Sequence, residues 1–214
     1  MLRTALTILG MAVGIGTIVF LFSLGSGLQE LLIGRIANDE ALLSLDVYPA
    51  DSELLALDVR ALRKFSAIPN VKKVVPVAIL GAQLTDETGT TDASAQMAEP
   101  DVFTLSGIRA PHEGQFYRSG DDRNVLITSA LIETFGWPAE SVIGKEVSLS
   151  VFVDESLMYY EHTGESPQNA EITKPVTIIG VLKSDAPGVY FSAGLFSNLK
   201  MLEYAQVKIG VLDA

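Results

Sequence analysis

No cysteine occurs among the 214 residues, which removes disulfides, thiolate nucleophiles and zinc-thiolate sites together while leaving the redox compartment open. Histidine is almost as scarce. The two copies, His112 and His162, stand fifty positions apart in polar surroundings and outside any metal-ligand spacing. The H-E-x-x-H helix, the G-x-x-x-x-G-K-[ST] phosphate loop and the G-x-S-x-G elbow are all missing, so the common signals of metalloproteases, nucleotide hydrolases and α/β-hydrolases are silent. The chain is therefore expected not to be an enzyme, to hold no cofactor or resident metal, and not to hydrolyse ATP itself. An anchored hydrolase is the exception to test, and it would need His112 or His162 in one buried constellation.

Positive charge is also in short supply. Fifteen Lys and Arg face 26 Asp and Glu for a net charge of -11, and Arg3 is the only charged residue before Glu30. Everything from Glu30 onward is thus one unit more acidic than the whole. Such a surface repels phosphate backbones and anionic head groups, which argues against nucleic acid as a partner and against broad contact with a negative leaflet. Asp86 with Glu87 and Asp92, and Asp121 with Asp122, offer the hard oxygens calcium takes, but neither group has EF-hand spacing. They read as solvated turns. The single Trp137, followed by Pro138, reads as packing at a helix end rather than as a platform for a ligand.

What the chain does have is one long apolar run. Residues 4–29 carry no charge, and no second run of comparable length follows. About 20 residues at a rise of about 1.5 Å cross a hydrocarbon layer of about 30 Å, so residues 5–24 are predicted to span a membrane once. A signal peptide would be shorter. The small residues at 23–27 imitate a cleavage region, but the apolar run continuing through Phe20, Leu21, Phe22 and Leu24 favours retention. Arg3 and the amino terminus place the start in the cytoplasm, with membrane lipid around the helix and the acidic remainder outside. Gly10, Gly14 and Gly16 are expected near one face, and Gly10 with Gly14 has the G-x-x-x-G spacing of closely packed membrane helices. Leu28, Leu31, Leu32 and Ile36 then recur at helical spacing, predicting an amphipathic stalk to about Asn38.

Residues 39–214 form the second predicted domain, after 1–38 as span and stalk. Short β-type runs with brief helices make it α+β. Strands are predicted over 44–49, 71–84 (one or two), 93–98, 124–128, 145–153, 172–182, 189–193 and 206–212. Helices are predicted over 58–67, over 129–136 with Ser129 as cap and Gly136 as stop, and over 195–202. The polar run 85–92 reads as a hairpin tip, and the acidic stretch 154–170 as an exposed loop.

Order of segments supplies a family. Arg3-Thr4-Ala5-Leu6-Thr7-Ile8-Leu9-Gly10, Val13-Gly14-Ile15-Gly16 and Ser23-Leu24-Gly25-Ser26-Gly27-Leu28 resemble the first transmembrane helix of MacB-type and FtsX-like ABC transporter permeases. Ile68-Pro69-Asn70-Val71, Val75-Pro76, Leu105-Ser106-Gly107-Ile108, Glu113-Gly114-Gln115-Phe116, Val125-Leu126-Ile127-Thr128, Ile143-Gly144-Lys145 and Thr177-Ile178-Ile179-Gly180-Val181-Leu182 resemble, in the same order, that family's periplasmic core domain. The resemblance implies one N-terminal transmembrane helix followed by a mixed α/β extracytoplasmic domain. It further implies a permease subunit bound to a cytoplasmic ABC ATPase, as a homodimer or with a complete permease. ATP-driven motion would then pass along the first helix in export or in lipoprotein and envelope processes.

Such permeases continue into three more transmembrane helices, which these residues do not contain, so a fragment or a split permease is the favoured reading. The competing one is a single-span anchor carrying a binding or sensory domain without an ATPase.

Overall fold

The computed structural model describes residues 2–36, 43–49, 56–153, 158–160, 170–197, 199–201 and 204–211. It divides into two units, Met1–Leu42 and Leu43–Ala214. The first holds α1 (Leu2–Ile36), one uninterrupted helix of 35 residues. Nothing in the sequence breaks it, because the first proline is Pro49. Three of its five hydroxyls bond back to its own backbone: Thr7 Oγ1 to the Arg3 carbonyl at 3.0 Å, Thr17 Oγ1 to Val13 at 2.8 Å and Ser26 Oγ to Phe22 at 2.8 Å. Those donors can therefore face hydrocarbon without being left unsatisfied.

The second unit is built on strands β1 (Ser44–Val47), β2 (Val71–Asp86), β3 (Gly89–Ala98), β4 (Glu113–Gly114), β5 (Asn124–Thr128), β6 (Glu146–Val153), β7 (Met158–Tyr160), β8 (Ala170–Leu182), β9 (Gly188–Phe191), β10 (Leu199–Met201) and β11 (Gln206–Val211). Helices α2 (Val59–Ser66), α3 (Asp101–Leu105) and α4 (Ser129–Phe135) lie between them. β7 and β10 form a separate antiparallel pair. The others make one sheet in the order β1-β11-β2-β3-β9-β5-β8-β4, and β6 pairs with both β2 and β8. That double pairing closes a ring of six strands, β2-β3-β9-β5-β8-β6, in which β3/β9 and β5/β8 are parallel.

Period-two alternation decides what fills the ring. Ala78, Leu80, Ala82 and Leu84 of β2, Val147, Leu149, Val151 and Val153 of β6, and Val125, Ile127, Ile178, Val189 and Phe191 all turn into one buried cluster. Leu131 of α4, Trp137, Leu195 and Phe196 complete it. A second cluster packs Val102 and Phe103 of α3 with Tyr117 against Val75, Val77, Leu126 and Leu182 on the other side of the sheet. A third, around Leu57, Val207 and Ile209, receives Val47 of β1 with Leu62 and Phe65 of α2. Asp58 caps α2 by accepting the Ala61 amide at 2.8 Å.

Gly180 marks a crossing where a side chain has no room. A Cβ there would lie 2.6 Å from the Gln115 carbonyl, because the strap around β4 runs across β8 through His112 N to Val181 O at 2.7 Å and Gln115 N to Ile179 O at 2.9 Å.

Several sequence expectations are revised. The polar run 85–92 is mostly strand: β2 reaches Asp86 and β3 begins at Gly89. Its outward residues bond across the ladder, Thr85 with Thr90 at 2.9 Å and Gln83 with Asp92 at 2.9 Å, so polarity reflects the wet face of a hairpin rather than a loop. Thr128, not Ser129, is the N-cap of α4, and the Ser129 hydroxyl instead donates to the Ser184 carbonyl at 2.9 Å. Gly136 does end that helix, in the left-handed conformation at φ 66°. The helix expected over 195–202 is a short 3-10 turn, Ala193–Phe196, followed by β10. Its partner β7 lies inside the stretch expected to be an exposed loop, whose remaining residues 154–157 and 161–169 fall outside the described set. α3 occupies a stretch for which no helix is predicted from the sequence.

Leu149 is fully buried where β6 faces β2 and β8. Leu149→Ala is expected to lower stability by about 2–5 kcal/mol, read by urea unfolding through Trp137 fluorescence. An outward Ser148→Ala change should cost far less.

Candidate functional site

Two places in the molecule gather the residues singled out from the sequence. The first is α1, whose stretch Arg3–Gln29 is long and apolar enough to cross a membrane and is wholly unburied. Large apolar side chains such as Leu6, Ile8, Leu9, Met11, Phe20 and Phe22 are exposed all the way round it. A helix without a polar face has the pattern of a membrane span rather than of the surface helix of a soluble domain. At about 100° per residue, Gly10 and Gly14 fall about 40° apart, whereas Gly16 falls about 160° from Gly14. The expectation that all three share a face is thereby corrected. Gly10 and Gly14 form one small-residue face, and Gly16 joins Ser23 and Gly27 on another. Beyond the helix's own neighbouring backbone, nothing among the described residues lies within 4 Å of where a Cβ would stand at any of the three glycines.

The second place is a polar clasp at one end of the strand ring. Asp86 closes the β2–β3 hairpin, its Oδ1 accepting the Thr88 amide at 2.7 Å, the Thr88 hydroxyl at 2.5 Å and the Gly89 amide at 3.2 Å. Its Oδ2 accepts Trp137 Nε1 at 2.7 Å and lies 3.4 Å from Lys145 Nζ. Trp137 stacks on Phe135 at 4.3 Å, with the Lys145 ammonium 5.1 Å from the indole centre. Three separate segments are tied together this way. The Asp86 side chain is 1% exposed. Burial by itself would raise its carboxyl, but the bonds from Thr88, Trp137 and Lys145 outweigh it and hold the group at about 2. The sequence showed Asp86 as part of an acidic turn and Trp137 as a helix-end residue; no local signal joins two positions 51 apart.

A buried crossing lies near the end of β3. Ser192, fully buried, accepts the amides of Gly120 at 2.9 Å and Gly194 at 3.3 Å and donates to Glu99 Oε1 at 3.0 Å. Tyr117 donates to the Ala98 carbonyl at 2.9 Å and meets Phe103 edge-on at 5.6 Å. Burial, with Glu99 and Tyr190 nearby, pushes its hydroxyl well above the usual tyrosine range. These bonds fix where chain segments cross.

The remaining candidates are scattered. His112 has an exposed side chain and uses its backbone amide to extend the strap on β8, while His162 lies outside the described residues. Glu87 is exposed, Asp92 is held by Gln83, and Asp121 accepts the amides of Arg123 at 3.1 Å and Asn124 at 2.9 Å. Burial alone would raise the Asp121 carboxyl, but the Asn124, Arg123 and Arg118 bonds lower it. Among the described residues no three His, Asp or Glu side chains are grouped to hold a metal ion.

Asp86 sets an acid limit. Because its folded value of about 2 lies below the ordinary 3.8, its contribution is complete above pH 4 and is lost as pH falls toward 2. The shift corresponds to about 2 kcal/mol. Trp137→Phe, which keeps the ring stack but removes the indole donor, is expected to raise the acid-unfolding midpoint and to leave stability at pH 3 lower than at pH 6 by a smaller margin. Circular dichroism across pH 2 to 7 checks this.

Comparison with known proteins places this geometry. Residues 4–210 match the model of the MacB-like periplasmic core domain. A macrolide export ATP-binding/permease protein, MacB 2, of Aeromonas hydrophila subsp. hydrophila is 25% identical over 152 residues, or 68% of this chain. The match covers only 23% of that relative's length. In structure, the periplasmic region of MacB from Actinobacillus actinomycetemcomitans superposes with a TM-score of 0.55 at 11% identity, covering 83% of this chain and 79% of that one. The extracellular domain of the noncanonic ABC-type transporter YknZ from Gram-positive bacteria gives 0.51 at 19% identity, covering 80% and 84%. The two likenesses show a shared fold, and the sequence match over nearly all of the chain settles the family: the protein belongs to the MacB-like periplasmic core domains of ABC transporter permeases.

Proposed function

We propose that this chain acts as the extracytoplasmic part of an ABC transporter permease, carrying motion driven by a partner ABC ATPase from the cytoplasmic side along α1 to the strand ring. The observation that carries the reading is the continuity of α1. Its 35 residues span about 52 Å, more than the hydrocarbon layer needs, so one stiff element reaches from one side of the bilayer to beyond the other. The macrolide-export relative combines ATP-binding and permease functions in its name, which supports an ATPase partner in general. In this reading the amino terminus is cytoplasmic, the second unit is extracytoplasmic, and the chain performs no catalysis of its own. It works as a homodimer or beside a complete permease.

The test is reconstitution with the ABC ATPase encoded nearest to the gene. Spin labels at Glu87→Cys report distances between outer domains. A distance change on adding ATP, abolished by a kinking Leu28→Pro substitution that leaves the domain folded, is the expected result. No association and no nucleotide response would instead favour an anchored binding domain.

Helix pairing gives a second expected outcome. Gly10→Leu with Gly14→Leu should lower the yield of cross-linked dimer in membranes, while Gly16→Leu, on the far side, should leave it intact. Equal effects would show that α1 pairs through a different face.

A further inference from the structure

The acidic chain contains one stretch of opposite sign. From Val59 to Thr85 there is no acidic residue, yet Arg60, Arg63, Lys64, Lys72 and Lys73 all lie there. The local structure explains how they are displayed. Arg60, Arg63 and Lys64 recur at i, i+3 and i+4, which puts them on one side of α2, while Leu62 and Phe65 turn into the third cluster. Lys72 is the extra residue of a β-bulge between Val71 and Lys73, where the β2–β11 register shifts, and it follows α2 within six residues of its end. Lys73 pairs with Asp101.

Arg60, Arg63, Lys64 and Lys72 are exposed, and none has a hydrogen-bonding or ionic partner among the described residues. Apolar side chains flank them: Val59 is 45% exposed and Ile68 48%. Val47 of β1 packs in the cluster that holds Leu62 and Phe65, so α2 lies where the chain enters the domain.

We propose that this α2 face docks on the head groups of anionic phospholipids in the bilayer that α1 spans. A lipid surface meets both features at once, phosphate charge for the four basic groups and an interfacial layer for Val59 and Ile68. Because the rest of the domain is acidic and repelled by the same lipids, docking also orients it. The proposal rests on α1 being a membrane span and is independent of coupling to an ATPase.

The test uses the full chain in vesicles, and the lack of cysteine makes single-site labelling clean. A fluorophore on Ala67→Cys, at the end of α2, is read against quenching by head-group nitroxide lipids. Quenching is expected to rise several-fold when phosphatidylglycerol replaces part of the phosphatidylcholine. It should fall with added salt and return to the zwitterionic level in Arg60→Gln/Arg63→Gln/Lys64→Gln/Lys72→Gln. Lys73→Gln, with an unchanged melting temperature, should keep the response, and a label at Glu87→Cys should not respond. Equal quenching in both lipids, or a full response in the quadruple variant, overturns the proposal. Lipid-independent quenching together with salt-sensitive cross-linking between chains overturns it in favour of an acidic face on a second copy. Vesicle flotation tests the span separately: a chain that does not float refutes the membrane reading of α1, and the docking with it.

Discussion

β6 bonds along both of its edges, to residues 81–85 of β2 and to residues 170–177 of β8, and the rest of the outer domain depends on that double ladder. Without it the sheet would be open and the inward side chains of six strands would face water. With it, Leu84 meets Leu149 and Val147 meets Val176 across adjacent ladders, and the interior fills with aliphatic and aromatic groups. A slip of one residue would turn Val147, Leu149, Val151 and Val153 outward together, so burial and register enforce each other. The long β2 strand then serves two structures. Its last residues close the ring, while residues 71–77 carry β11 and through it β1.

Much of this was legible from the chain, for identifiable reasons. The strands with strong β-branched content or strict alternation, β1, β2, β5, β6, β8 and β11, stand close to where periodicity puts them. α2 was legible because Val59, Leu62 and Phe65 recur at helical spacing before Pro69; α4 because Gly136 supplies the left-handed stop. Errors arose where polarity was equated with loop. β3 carries Thr90, Thr91, Asp92, Ser94 and Gln96 on a hairpin whose outer face is wet, and no apolar count reveals it. Closure of the ring was hidden as well, since which strand β6 joins is a long-range pairing. The Asp86–Trp137 bond belongs to the same class: a contact between elements that only the assembled fold brings together.

The two units answer different physical demands. α1 has apolar side chains on all sides, and the hydroxyls of Thr7, Thr17 and Ser26 are satisfied by its own carbonyls, which suits hydrocarbon as a solvent. The outer domain hides its apolar groups in three clusters and keeps an acidic surface. One rotation along α1 separates Gly10 and Gly14 from Gly16, which offers a helix in a bundle two close-packing faces rather than one. Within the outer domain the buried Ser192, bonded to Glu99 and to backbone amides, acts as a structural knot.

Sidedness is the point at which this view of the chain meets experiment most directly. Single cysteines at Leu2→Cys and Glu87→Cys, in a protein with no cysteine of its own, are to be probed with a membrane-impermeant maleimide on intact spheroplasts. The expected result is immediate labelling at Glu87→Cys and labelling at Leu2→Cys only after the membrane is permeabilised. Labelling of Leu2→Cys in sealed spheroplasts, or protection of Glu87→Cys until lysis, would contradict a single outward span carrying an extracytoplasmic ring.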